Sequence, residues 1–168
     1  ADRMAMGDKY LDSGKLYVAK FNADGTGTWV ELSTTNTAIA SYASYKFADA
    51  ADICINTRLA ADAVGATKMD RPEWNAVNPA NGEIYFTLTN NSNRSIDPTG
   101  SQYLPDASNP RAYTDMKGTS KQNGNPNGHL VRMKEGATVS AFTWDVYLFG
   151  AEAGADKSLV NISALTAD

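Results

Sequence analysis

The chain has one cysteine, Cys54, and one histidine, His129, in 168 residues. A single thiol excludes an internal disulfide, and one Cys with one His is too few for a structural zinc site made by this chain alone. The histidine has no nucleophile elbow to serve, because no G-x-S-x-G occurs; a Walker A sequence and a dinucleotide fingerprint are missing too. No apolar run approaches the roughly 20 residues of a membrane-spanning helix. Excess positive charge is also lacking: 15 Lys and Arg against 19 Asp and Glu leave a net charge of -4. That removes any global attraction to nucleic acid or anionic membrane, so phosphate recognition has to be local. The aromatic stretch "ASYASYKF", with Tyr42, Tyr45 and Phe47 beside Lys46, is too small for a base-stacking platform. What is present, 42% apolar and 20% charged residues, is the composition of a globular domain able to bury a core.

Alternation organises most of the chain. Residues 15–32 read as a hairpin, with Asn22-Ala23-Asp24-Gly25 as the turn between a strand through Phe21 and a return strand through Trp29 and Val30. Residues 48–65 change to helical spacing. Asp49 is the N-cap, Ala51, Ile55, Leu59 and Ala63 form the repeating line, and Gly65 is a left-handed C-cap. Strands then resume after the Asn78–Gly82 turn, with Ile84, Phe86 and Leu88 on one face and Tyr85, Thr87 and Thr89 on the other. Residues 129–136 and 140–152 supply two more. Between the 84–89 strand and the 129–136 strand lies a polar insert, 91–128, rich in Asn, Ser, Gly and Pro and expected to be poorly regular. The fold class is therefore mainly β: antiparallel sheets forming part of a β-propeller, with one helix and a long loop insert. A ring needs about four blades of ~40 residues, and residues 71–150 with the 15–32 hairpin amount to about one and a half to two. The hairpin is then the outer half of a preceding blade. Residues 1–168 are expected to be a single interior piece of something larger.

Most candidate chemistry dissolves on inspection. "KFNADGTGTWVE" places Asn22, Asp24, Gly25 and Glu31 at calcium-loop positions, but Lys20 stands where the first carboxylate is required. A plain hairpin turn is the better reading. His129 is read as a strand-start residue and Cys54 as a small buried apolar side chain.

"KMDRPEW" is different, because charge gathers at the mouth of a strand. Pro72 is expected to hold Arg71 extended, which puts Arg71 and Glu73 on one side of the chain. An arginine fork binds phosphate bidentately and a carboxylate holds a hard cation. Spacing alone leaves that reading open beside a solvated Arg–Glu pair, which is the simpler of the two. Asp70 is read as a turn residue between helix and strand.

The segment "NTRLAADAVGATKMDRPEWNAVNPANGEIYFTLTNNSNR", with "NPNGHLVRMKE", "FTWDVYLFGAEAG" and the upstream "YLDSGKLYVAKFNADGTGTWVEL", strongly resembles the PhoX-type bacterial alkaline phosphatases. The resemblance covers most of the chain. It implies a six-bladed propeller with calcium and iron in the intact parent, hydrolysis of phosphate monoesters, and export, usually by the twin-arginine route, to the periplasm or beyond. The family's Arg-Pro-Glu stretch matches Arg71, Pro72 and Glu73, so Arg71 is implied to bind substrate phosphate and Glu73 to ligate metal. Asn90, at the end of the following strand, is placed near the same mouth with no role carried over. Cys54 does not correspond to the family's iron-ligating cysteine, which lies far upstream of this motif. The expected partners are phosphomonoesters and the remaining blades of the parent, with no nucleic acid and no membrane. The piece alone is expected to be inactive; a propeller-derived binding or structural module without catalysis is the alternative.

Overall fold

A computed structural model describes residues 14–95, 97, 99, 103–117 and 119–151. The chain divides into two compact units, one holding the described residues 14–20 and 29–67, the other residues 21–28 and 68–151. The hairpin of β1 (Tyr17–Phe21) and β2 (Thr26–Glu31) runs through both, its tip belonging to the second. Its turn is built as expected of a hairpin. Asp24 Oδ1 accepts from the Thr26 N–H at 2.9 Å and from its hydroxyl at 2.6 Å, so this carboxylate is engaged in closing the turn.

In the first unit, three helices close over the body of the hairpin. They are α1 (Thr37–Ala40), α2 (Ala50–Ile55) and α3 (Thr57–Val64). Asp49 caps α2 through the Asp52 N–H at 2.9 Å, and Gly65 ends α3 at φ 67, both as the sequence leads one to expect. The expected single helix is nevertheless two. Asn56 leaves helical geometry at ψ 39, and its side-chain amide turns back to Asp52 Oδ1 at 2.7 Å. Thr57 Oγ1 meanwhile donates to the Cys54 carbonyl at 2.7 Å. Side chains of this kind compete with the helix ladder for its backbone groups. The break shifts the helical phase, so the buried face is Ile53, Ala60 and Val64; of the expected Ala51–Ile55–Leu59–Ala63 line, Ala63 packs partly buried against that core. Ile55 is 82% exposed, and Cys54, expected inside, is exposed as well. Ile53, Ala60 and Val64 join Leu32 and Ile39 in the core, with Val18, Val30 and Phe47 packed around them.

The second unit is an antiparallel sheet in the order β2-β8-β7-β4-β3. Its strands are β3 (Pro72–Val77), β4 (Ile84–Leu88), β7 (His129–Glu135) and β8 (Ala141–Phe149). The meander β3-β4-β7-β8 is the four-strand pattern of a propeller blade. Instead of standing in a separate blade, β2 joins the β8 edge, with Gly27 opposite Phe142. Period-two alternation decides which side chains meet. Leu88, Val131, Met133, Phe142 and Trp144 are buried, Val131 sits opposite Phe86 and Met133 opposite Trp144. Phe21 packs edge-on against Phe142 at 4.9 Å and Trp144 at 5.2 Å, and the Trp144 indole donates to the Thr26 carbonyl at 2.8 Å.

The insert between β4 and β7 is more regular than its composition suggests. It carries a hairpin, β5 (Tyr113–Lys117) and β6 (Ser120–Gly124). It packs through polar groups, since Arg94, Ser108, Asn109, Arg111 and Asn125 are all buried. That explains why hydrophobic periodicity does not reveal it.

Candidate functional site

The charged stretch before β3 divides into a buried half and an exposed half. Asp70 is fully buried, so its reading as a turn residue is too modest. Arg94, itself 3% exposed at the side chain, donates through Nη2 at 2.7 Å and Nε at 3.1 Å to Asp70 Oδ1. Asn91 donates to the same oxygen at 2.7 Å, and Asn125 donates to Oδ2 at 3.1 Å. A buried carboxylate needs this degree of satisfaction to remain charged.

The network continues outward. His129 Nε2 lies 2.7 Å from the Ser108 carbonyl, an acceptor only, so Nε2 carries the proton and Nδ1 accepts from Asn125 at 3.1 Å. Burial holds His129 below its ordinary pKa, keeping it neutral in this role. Arg111 Nη2 donates to the Gly128 and Gly150 carbonyls, each at 2.7 Å. Its guanidinium carbon lies 4.5 Å from the Phe149 ring centre and 4.9 Å from that of Tyr113. Nε and Nη1 of Arg111 have no hydrogen-bond acceptor among the described residues, and the aromatic faces are their compensation. Most of these residues come from the insert; Asp70, His129, Phe149 and Gly150 flank it. Sequence reasoning missed the insert's share of them, although the paired asparagines among glycines at 123–128 were a visible signal.

Arg71 and Glu73 form the exposed half. Their side chains are 60% and 53% exposed, and Arg71 Nη2 stands 3.9 Å from Glu73 Oε1, so the structure brings the two together. Arg71 is not extended, however. Its φ of 49 is the one positive value among described non-glycine residues, and αL backbone costs an L-residue about 1–2 kcal/mol. Arg71 comes directly after the anchored Asp70. The Arg71 N–H bends back to the Met69 carbonyl at 2.9 Å, and the Arg71 carbonyl is taken by the Thr89 N–H at 3.2 Å. Asn90 does reach this place, accepting from Arg71 Nη1 at 3.1 Å. Strained backbone at the residue that carries an exposed guanidinium is a pattern found at ligand-binding positions.

Whether these residues suit calcium or iron is a question of donors. Calcium takes six to eight oxygen ligands. No group of three His, Cys, Asp or Glu side chains capable of holding a metal occurs among the described residues. Glu73 is one carboxylate beside a cation, so the described residues do not make such a site by themselves. A surface cleft of about 270 Å³ lies elsewhere, lined by Glu83, Arg132, Lys134 and Asp145 among others, and neither Arg71 nor Glu73 borders it.

An antiparallel meander of blade type, with an exposed Arg–Glu pair at the mouth of its edge strand, places the chain among mainly β, propeller-like proteins. The chain belongs to the PhoX alkaline phosphatase family, whose pattern matches residues 2–166. It is similar in structure to Pseudomonas fluorescens PhoX in complex with vanadate, a transition state analogue. The TM-score is 0.61 and the identity 36%, over 88% of this chain and 25% of that one. The chain thus spans about a quarter of the length of the solved structure it matches. No curated protein sequence matches it.

Proposed function

We propose that this chain works as part of a longer, exported, metal-dependent phosphomonoesterase, in which Arg71 binds the substrate phosphate and Glu73 contributes one carboxylate to a cation. The observation that carries the reading is the exposed Arg71 guanidinium on a strained backbone, in a chain similar to a phosphatase structure that holds vanadate. Vanadate mimics a phosphoryl group in transfer, and a fixed arginine stabilises charge on its equatorial oxygens. Calcium and iron are the metals expected, with their remaining ligands supplied by other parts of the longer chain. Such ions would lend Lewis acidity to the site.

Arg71→Ala in the longer phosphatase is expected to lower turnover of p-nitrophenyl phosphate by about 10²–10³-fold while bound metal stays unchanged. Glu73→Gln is expected to lose both, because an amide is a weaker ligand for a hard cation. Near-normal turnover in both variants would reduce the pair to a solvated ion pair and favour a binding or structural module.

A further inference from the structure

We propose that Asn109 and Asn90 are positioning residues for Arg71, one acting on its backbone and the other on its guanidinium. This rests on the phosphate-binding role given to Arg71 above. Asn109 is fully buried, and its side-chain amide pairs with the chain before Arg71 as a neighbouring strand would. Oδ1 accepts from the Asp70 N–H at 2.9 Å, and Nδ2 donates to the Lys68 carbonyl at 2.9 Å. The amide cannot be inverted without loss. Nδ2 also faces the Asp106 carboxylate at 2.9 and 3.1 Å, so a flip would set oxygen against oxygen there and N–H against N–H at Asp70.

With Lys68 and Asp70 pinned, the Arg71 N–H has the Met69 carbonyl as its acceptor, and the chain leaves Asp70 with Arg71 in left-handed backbone. Thr89 closes the arrangement by taking the Arg71 carbonyl through its own N–H. The next residue, Asn90, accepts from Arg71 Nη1 at 3.1 Å. The chain just past β4 therefore holds both the root and the tip of the arginine. A long side chain anchored at two points loses little further freedom on meeting an anion, which is preorganisation.

The test uses the longer phosphatase with Asn109→Ala and Asn90→Ala, each alone and each combined with Arg71→Ala. Turnover of p-nitrophenyl phosphate and inhibition by vanadate are measured. Asn109→Ala is expected to lower kcat by about 10²-fold, the size of a misplaced catalytic contact, and Asn90→Ala by about tenfold, as for one charge-assisted hydrogen bond. Vanadate inhibition should weaken in parallel. In the Arg71→Ala background neither change should lower activity further, because an arginine that is gone cannot be positioned. Losses that multiply in the double variants would show that the asparagines act through something else, and unchanged kcat in both single variants would overturn the proposal outright. Asn90 is exposed, so its pair with Arg71→Ala stays decisive even if Asn109→Ala does not fold. If Arg71→Ala itself retains full turnover, it is the phosphate-binding role that fails, independently of either asparagine.

Discussion

Replacing Asp70 by Asn keeps the shape of the side chain and removes its charge, which isolates the electrostatic part of the buried network. Arg94 is then left 3% exposed, with Asp106 at 3.7 Å as its nearest remaining carboxylate in the network. The new amide also turns one acceptor into a donor among donors from Arg94, Asn91 and Asn125. Breaking a buried pair from one side costs about 3–5 kcal/mol, against a total of roughly 5–15 kcal/mol for a domain. Urea titration of the 168-residue chain, followed by tryptophan fluorescence and far-ultraviolet dichroism, reads this directly. For a denaturant slope of about 2 kcal/mol/M, a loss of about 4 kcal/mol lowers the midpoint by about 2 M. The control is Asp145→Asn. Asp145 is also paired with an arginine fork, Arg132, at 3.0 and 2.5 Å, but those side chains are 43% and 30% exposed. Solvent screens such a pair, so that change should cost less than about 1 kcal/mol. Equal costs for the two variants would refute the reasoning, because burial would then not be what makes Asp70 matter.

Several other outcomes are expected. Ile53→Ala should destabilise the chain by about 2–5 kcal/mol and Ile55→Ala by less than about 0.5 kcal/mol, measured as urea midpoints; the opposite order would restore the unbroken helix. His129 takes up its proton below its ordinary value of 6.5 because burial opposes the charged form, although Asp70 favours that form and Arg111 and Arg94 oppose it. Below pH 6.5 the unfolded chain therefore binds the proton more readily than the folded one, and stability falls as pH drops toward the depressed folded value. His129→Gln should flatten that slope, and identical slopes would remove the histidine from the network. Gly27→Ala would place a methyl 2.1 Å from the Phe142 ring and should cost about 1–3 kcal/mol, seen as a lower melting temperature. The 168-residue chain by itself should hydrolyse p-nitrophenyl phosphate no faster than buffer with calcium and iron supplied, and metal-dependent turnover at enzyme-like rates would contradict this.

The antiparallel, mainly β character, the hairpin turn at Asp24, the cap at Asp49 and the left-handed end at Gly65 were legible in the sequence. Each depends on residues two to five apart, where alternation, side-chain caps and glycine's tolerance of positive φ act locally. That Arg71 and Glu73 would stand side by side was legible from their places across one proline, but not the left-handed backbone of Arg71. The helix break at Asn56 was legible only in part: the residue types that compete with a helix were present, but which face turned inward depended on what Val18, Val30 and Ile39 offered it. The buried half of the site was not legible. Asp70 meets Arg94, Asn109 and Asn125 across separations of 24, 39 and 55 residues, and no local pattern distinguishes a carboxylate that will be enclosed from one that will stay wet. Sequence by itself determined where the charges lie along the chain. Only the tertiary structure decided that Asp70 would be desolvated and Arg71 left exposed, because burial of a charge is set by whether distant donors can surround it.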